Sequence, residues 1–255
     1  MKAASCVFLT IKIDAMDYDN PAARLLTVLE EGQKLNAQGS CRAAWDELLK
    51  AQGNQALLMS RLGKVMELPQ HIIQAIEENY PSHRKHAAHW ESQVNAGFTH
   101  QSLGSNWQSF MGHIDSHTLS YLAMTSELLQ QKSNTKSIED ASILEARNKL
   151  EELYKEIRSA DIPTEIRLYL IRHLRQILES IDEYFITGAL PILDTTGTLL
   201  GHALIDEKYR NFLRDEAIGA RIFECLTAMA NVVGVAVGIP QLSVAIAAIQ
   251  PLLPQ

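Results

Sequence analysis

The sequence predicts an all-α protein: a multi-helix bundle with one long antiparallel αα-hairpin and an apolar C-terminal helical hairpin. Apolar residues recur at helical spacing through most of the chain. Asn, Ser and Asp residues stand directly before these stretches, and Gly or Pro follows them, as at helix ends. Only the N-terminal stretch SCVFLTIKI is strand-like, and a lone strand has no partner in a helical chain.

The composition is that of a globular protein in a reducing compartment. The chain has 255 residues, of which 46% are hydrophobic and 21% charged, enough to bury a sizeable core. A net charge of -7 argues against a general nucleic-acid binder, which needs a basic surface. Cys6, Cys41 and Cys225 are few and far apart, so we expect core thiols rather than disulfides.

Four segments are predicted along the chain. Residues 1–18 form an N-terminal arm, in which Lys12 interrupts the apolar run that a signal peptide would need. Residues 19–132 form a bundle of short helices, and residues 137–188 the long hairpin. Residues 189–255 form C-terminal helices that end in an uncharged apolar tail. We therefore expect a cytoplasmic protein.

Capping residues predict the short helices. Helices are expected to begin after Asn20, Ser40, Asn54 and Asp115, whose side chains can accept hydrogen bonds from the first turn. The third helix is expected to end at Pro69, because proline removes a backbone donor.

Two longer amphipathic stretches predict the hairpin. The first, SIEDASILEARNKLEELYKEIRS, opens with a capping box formed by Ser137 and Asp140. The second, TEIRLYLIRHLRQILESIDEYF, places five apolar residues on one face: Leu170, Leu174, Ile177, Ile181 and Phe185. The short ADIP connection between them predicts antiparallel neighbours.

The C-terminal tail, MANVVGVAVGIPQLSVAIAAIQPLLP, allows two interpretations. No charged residue follows Glu224, which is typical of a membrane segment. The GIPQ break, however, divides the tail into pieces at 222–237 and 241–249, each too short to span a bilayer. We favour a buried or oligomer-interface hairpin, and the alternative is insertion of residues 225–253 at the inner membrane.

Small residues in the tail mark the predicted contact. Ala230, Gly234 and Gly238 lie one turn apart, which permits close approach of another helix in water or in lipid. Val235 lies beside them, where a charge would disturb either environment. These four residues are the candidate interface or membrane contacts.

Nine histidines raise the question of a metal site. His83 and His86 are three residues apart, and His113 and His117 are four apart, but no H-E-x-x-H motif is present. A zinc site needs several converging ligands. We expect neither a metal nor another cofactor, and these four histidines are the ligands to consider if a metal binds.

An Arg–His spacing offers one enzymatic alternative. Arg167 and His173, like Arg84 and His89, match the spacing in helical ribonucleases of the HEPN superfamily, in which His173 would act as general base. Two such pairs are close to the number expected by chance. No nucleophile elbow, phosphate-binding loop or dinucleotide motif is present.

Several stretches resemble an uncharacterised family of bacterial all-helical proteins. The resemblance rests on NPAARLLTVLEEGQKL, the following Trp45, LLMSRLGKVMELP and IPTEIRLYLIRHLRQILESIDEY. It covers about three quarters of the chain, and it implies a helical fold in a bacterial cytoplasm without implying an activity.

The functional hypothesis is a non-enzymatic helical interaction protein that binds a protein partner or itself, in a bacterial defence or toxin-related system. The first alternative is a membrane-acting effector that inserts its apolar tail. The second is a HEPN-like ribonuclease.

Overall fold

The computed structural model describes residues 19–132 and 135–237. Within these ranges it contains twelve α-helices, one 3-10 helix and no strand. The predicted all-α class is confirmed. The predicted arm, 1–18, and the second piece of the tail, 241–249, lie outside the described residues.

Six α-helices and the 3-10 helix form the first half. They are α1 (Pro21–Lys34), α2 (Cys41–Leu48), α3 (Gln55–Asn79), the 3-10 helix (Pro81–Ala87), α4 (Ala88–His100), α5 (Gln108–Met111) and α6 (Ser116–Lys132).

Six further helices form the second half. They are α7 (Asp140–Ser159), α8 (Thr164–Asp182), α9 (Tyr184–Thr187), α10 (Leu190–Ile205), α11 (Glu207–Asp215) and α12 (Ala217–Val237).

Polar side chains cap four helices of the first half, as predicted. Asn20, Ser40 and Asn54 accept hydrogen bonds from backbone N–H groups in the first turns of α1, α2 and α3. Before α6, Asp115 Oδ1 accepts one from Thr118 N at 2.6 Å. Each bond satisfies a donor that the helix leaves free, so these starts can be located from local sequence.

α3 continues through Pro69, so the prediction that a helix ends there is wrong. A proline inside a helix costs about 3 kcal/mol, because it removes a hydrogen bond and crowds the preceding turn. The face of α3 that contains Pro69 is buried on both sides of it, at Val65, Leu68, Ile72 and Ile76. Burying this face outweighs the cost and keeps the helix continuous.

Tryptophans form the centre of the first hydrophobic core. Trp45, Trp90 and Trp107 are no more than 1% exposed. The Trp45 ring meets Trp107 edge-on at 5.0 Å and Phe110 at 4.8 Å. Its Nε1 donates to Gln101 Oε1 at 2.6 Å, so its polar atom is satisfied.

α7 and α8 pack side by side in opposite directions. Arg147 near the start of α7 donates from Nε to Asp182 Oδ1 at 2.7 Å, at the end of α8. Midway along the pair, Arg175 Nη2 lies 3.4 Å from the Tyr154 hydroxyl. The seam between the helices is buried at Leu150, Leu153, Ile157, Leu170, Leu174, Ile177 and Ile181.

α7 begins later than predicted, because Glu139 rather than Ser137 occupies the N-cap position. The first helical residue is Asp140, and Glu139 precedes it without a side-chain cap. Ile138 is buried, and its N–H donates to the Tyr184 hydroxyl at 2.9 Å. This tertiary hydrogen bond holds the segment against α9 and outside the helix.

α12 is a bundle helix with one apolar and one polar face. The buried face contains Ile222, Leu226, Met229, Ala230 and Val233. On the outer face, Arg221 Nη1 donates to Glu156 Oε1 at 2.8 Å, and Glu224 and Asn231 are exposed. The chain has a second hydrophobic core, formed by α7, α8, α10, α11 and α12. The first piece of the predicted tail, 222–237, thus belongs to a helix of this core.

Two buried carboxylates form ion pairs where the two cores meet. Asp19 pairs with Arg24, and Asp19 Oδ2 also accepts from Ala189 N at 3.3 Å. Burial raises the pKa of Asp19 and lowers the pKa of Arg24, although their attraction opposes both shifts. The buried Glu183 carboxylate pairs with Arg61 and Lys64 of α3. Removing one partner would leave a buried charge unpaired.

Gly188 at this junction provides a first prediction. Its φ of 73° and ψ of -168° lie in a region that essentially only glycine adopts. A Cβ atom there would lie 2.8 Å from Arg24 Cζ and 2.9 Å from Asp19 Oδ1. We expect Gly188→Ala to lower the free energy of unfolding by about 3 kcal/mol, measured by urea denaturation.

Gly53→Ala is the matched control. Gly53 also has a positive φ, 77°, but a Cβ atom there would have no neighbour within 4 Å. We expect a loss of only about 1 kcal/mol, from the backbone alone. Equal losses in the two variants would show that the contact with the ion pair contributes nothing.

Candidate binding cavity

A cavity of about 720 Å³ lies between the start of α8, the end of α10 and α11, and opens to solvent. Pro163, Glu165 and Ile166 line it from the side of α8, and His202 from the side of α10. The volume is within the range of small-molecule sites, about 300–1,000 Å³. The three helices therefore form a half-open cleft with enough space for a ligand.

Aromatic rings from three helices form one wall. Tyr169 of α8 stacks on His202 of α10 at 4.2 Å, with 26° between the ring planes. The ring of Tyr209 on α11 meets the Tyr169 ring edge-on, with 5.4 Å between the ring centres. The centres of the Tyr209 and His202 rings are 5.2 Å apart. His173 packs against Tyr169 at 4.2 Å and supports the wall from α8. We call Tyr169, His202 and Tyr209 the aromatic wall.

The Tyr209 hydroxyl is buried without a hydrogen-bond partner among the described residues. The residue is 1% exposed, and it also lines the cavity. Burial, together with the nearby Tyr169, raises the pKa of Tyr209, so its phenol stays neutral. An unsatisfied buried hydroxyl costs about 1–3 kcal/mol.

Asp206 places the aromatic wall by capping α11. Its Oδ1 accepts from Tyr209 N at 3.0 Å, and its Oδ2 lies 3.4 Å from His202 Nε2. The backbone hydrogen bond from Tyr209, opposed in part by desolvation and helped by His202 and Lys208, lowers the pKa of Asp206. The carboxylate is therefore negative at neutral pH.

The cavity lining is acidic. Four carboxylates, from Glu165, Asp206, Asp215 and Glu216, face a single basic residue, Lys208. The hydrogen bond from Arg214 lowers the pKa of Asp215 but also offsets part of its charge. The local excess of negative charge favours cationic over anionic ligands.

Arg167 and His173, proposed for a HEPN-like ribonuclease, are engaged in local contacts. Arg167 Nη2 donates to the carbonyl oxygens of Ala160 and Ile162 at 2.8 and 3.1 Å, in the connection between α7 and α8. His173 Nδ1 is 2.9 Å from the Tyr169 carbonyl oxygen of its own helix. Both side chains thus have structural roles beside the cavity.

The four histidines considered as metal ligands make separate contacts. The ring centres of His83 and His86 lie 5.9 Å apart in the 3-10 helix. His113 stacks on His100 at 5.3 Å, whereas His117 packs against rings of α4 and α6. Across residues 19–132 and 135–237, no group of three or more His, Cys, Asp or Glu side chains is arranged to hold a metal.

The tail residues proposed as an interface are only partly described. Ala230 and Gly234 are buried inside the bundle on α12. The Val235 side chain and all of Gly238 lie outside what the structure describes. In the described ranges, one helix is long and apolar enough to cross a membrane, at Ala217–Gly234, and 39% of that window is buried.

The sequence contains one signal for the cavity, in the spacing of its aromatic and acidic side chains. His202 and Asp206 are separated by four residues, as are Tyr169 and His173, so each pair shares a helix face. Such pairs are common on ordinary helices, and only the packing of α8, α10 and α11 brings them together.

Comparisons with protein-family models, curated protein sequences and solved structures give no match. The resemblance to a bacterial helical family remains a prediction.

Proposed function

We propose that this chain is a non-enzymatic interaction protein that binds a basic, apolar segment of a protein partner at the cavity mouth. The observation that carries the proposal is a set of exposed aliphatic side chains on the helices that form the cavity. Leu168, Leu204 and Ile205 are 62%, 51% and 82% exposed. We call these three residues the apolar rim.

Helical spacing places two residues of the rim, Leu168 and Ile205, beside the cavity. Leu168 follows Glu165 by three positions on α8, and Ile205 follows His202 by three positions on α10. Residues at this spacing share a face, and both Glu165 and His202 line the cavity. Aliphatic groups around a concave, charged site are typical of a surface that a partner covers.

Charge favours a different protein over a second copy of this chain. We call the four carboxylates of the cavity lining, from Glu165, Asp206, Asp215 and Glu216, the mouth carboxylates. A twofold contact through the rim would bring the mouth carboxylates of two copies together, and the whole chain carries a net charge of -7. Like charges across an interface disfavour association, whereas a basic segment would be attracted and oriented.

A pair of model peptides tests this proposal. One is a helical peptide of Leu and Lys, and the other has Glu in place of every Lys. We expect fluorescence anisotropy to show binding of the basic peptide only, weakening with salt. Ile205→Ser should weaken binding about tenfold by removing an apolar contact.

Leu144→Ser is the control, because Leu144 is also exposed (57%) but lies on α7. It should leave peptide binding unchanged. Equal binding of both peptides, or no effect of Ile205→Ser, would contradict the proposal. A concentration-dependent dimer in sedimentation that Ile205→Ser dissociates would identify a second copy as the partner instead.

His173→Ala separates this function from the ribonuclease alternative. The wall contact of His173 is with Tyr169, so we expect a folded variant that binds the basic peptide nearly as wild type does. Purified wild type should not cleave RNA. If wild type cleaves RNA, and both this cleavage and a cellular phenotype are lost in His173→Ala, the ribonuclease function would replace the proposed interaction function.

A further inference from the structure

We propose that the cavity between α8, α10 and α11 is a binding site for an organic ammonium ion. The cation would lie against the aromatic wall, with its charge near the mouth carboxylates. The inference goes beyond partner binding at the rim, because a free amine can enter the cavity when no protein is docked there.

The aromatic wall supplies the contact surface for the cation. Tyr169 and Tyr209 meet edge-on at 5.4 Å, and Phe212 extends the lining along α11. Aromatic rings attract cations within about 6 Å of the ring centre and also pack against the carbon atoms of the ligand. An amine with an apolar body fits this combination better than a hydrated metal ion does.

Tyr209 provides a polar group that has no other role among the described residues. Its hydroxyl is buried and unpaired, and Tyr209 is one of the residues that line the cavity. A neutral phenol oxygen can accept a hydrogen bond from an ammonium N–H group. A ligand of this kind would satisfy the hydroxyl that the protein itself leaves unsatisfied.

The carboxylates select the sign of the ligand charge. Glu165, Asp206, Asp215 and Glu216 outnumber Lys208 in the lining. Asp206 is held in place by its hydrogen bond from Tyr209 N, so at least one negative group is positioned before binding. Hydrogen bonds between charged groups are about twice as strong as neutral ones.

Three probes of similar size test the chemistry. They are 2-phenylethylammonium, neutral 2-phenylethanol and anionic 3-phenylpropionate, titrated into the full chain up to about 10 mM and followed by calorimetry and protein NMR. We expect the ammonium probe to bind at least about tenfold more tightly than either of the others. Equal affinities, or no binding of the ammonium probe, would overturn the proposal.

Conservative variants locate the site. Asp206→Asn keeps a residue that can cap α11 but removes its charge, and Tyr209→Phe removes only the unpaired hydroxyl. Each should weaken ammonium binding several-fold, and Glu165→Gln should do so without affecting a cap. Glu179→Gln, exposed on α8 and away from the cavity lining, is the control and should bind as wild type does. Unchanged affinity in all three cavity variants would overturn the proposal.

Two further arms separate this inference from the proposed function. Ile205→Ser should weaken binding of the basic peptide without changing affinity for 2-phenylethylammonium, because Ile205 does not line the cavity. If the amine displaces the bound peptide, the cavity accepts a lysine ammonium of the partner. If both bind together, the cavity holds a free amine.

Discussion

Replacing Gly219 with alanine is expected to lower the free energy of unfolding by several kcal/mol, on the order of 3 kcal/mol. Gly219 is buried in the first turn of α12, directly against the backbone of α11. A Cβ atom there would overlap the Phe212 carbonyl oxygen and lie 2.7 Å from Leu213 Cα. Backbone atoms cannot rotate away as a side chain can, so one of the two helices must move.

Gly197→Ala is the control for this substitution. Gly197 is also within a helix, α10, but a Cβ atom there would meet nothing within 4 Å. Alanine should therefore leave stability unchanged or raise it by up to about 1 kcal/mol, through its higher helix propensity. Thermal and urea denaturation of both variants give the comparison, and equal stability would contradict the close contact of α11 with α12.

Gly219→Ala is also expected to affect the cavity. Phe212, Asp215 and Glu216 line it, and they lie on or beside the part of α11 that Gly219 contacts. We therefore expect Gly219→Ala to weaken binding of 2-phenylethylammonium in the fraction of protein that remains folded. Gly197→Ala should not.

Leu174→Asp is expected to have the largest effect of these substitutions, a loss of about 4 kcal/mol or failure to fold. Leu174 is 0% exposed in the seam between α7 and α8. The substitution removes buried apolar surface and places a carboxylate in a hydrophobic core. Urea denaturation, or the soluble yield if the variant is too unstable, measures the loss.

Leu168→Asp, on the same helix, separates burial from helix propensity. Leu168 is largely exposed, so its replacement should change stability by less than about 0.5 kcal/mol. A similar loss of stability in both variants would contradict the orientation of α8.

The starts of the early helices could be predicted because caps act within one turn. Asn20, Ser40 and Asn54 lie where the sequence predicts them, each bonded to the N–H groups that follow. The same local logic failed at Pro69, which lies inside α3, because burial of a whole helix face outweighs one lost hydrogen bond. It also failed before α7, where Ile138 is held by the Tyr184 hydroxyl of a distant helix.

The candidate site, in contrast to the helix starts, could not be predicted from local sequence. Arg167 and His173 were singled out by spacing, yet the residues that form the cavity wall are Tyr169, His202 and Tyr209. Each of these is an unremarkable residue on its own amphipathic helix. Their shared location depends on how α8, α10 and α11 pack.

The all-α class and the helix caps were thus determined by the sequence itself, because hydrophobic periodicity and capping depend on neighbours within a few residues. Only the tertiary structure decided three other features. These are the helix that continues through a proline, the glycine that contacts a backbone and the rings that line a cavity. These features depend on close packing between residues far apart in the chain, such as Tyr169 and Tyr209. Helix-to-helix packing of this kind leaves no periodic pattern in the sequence.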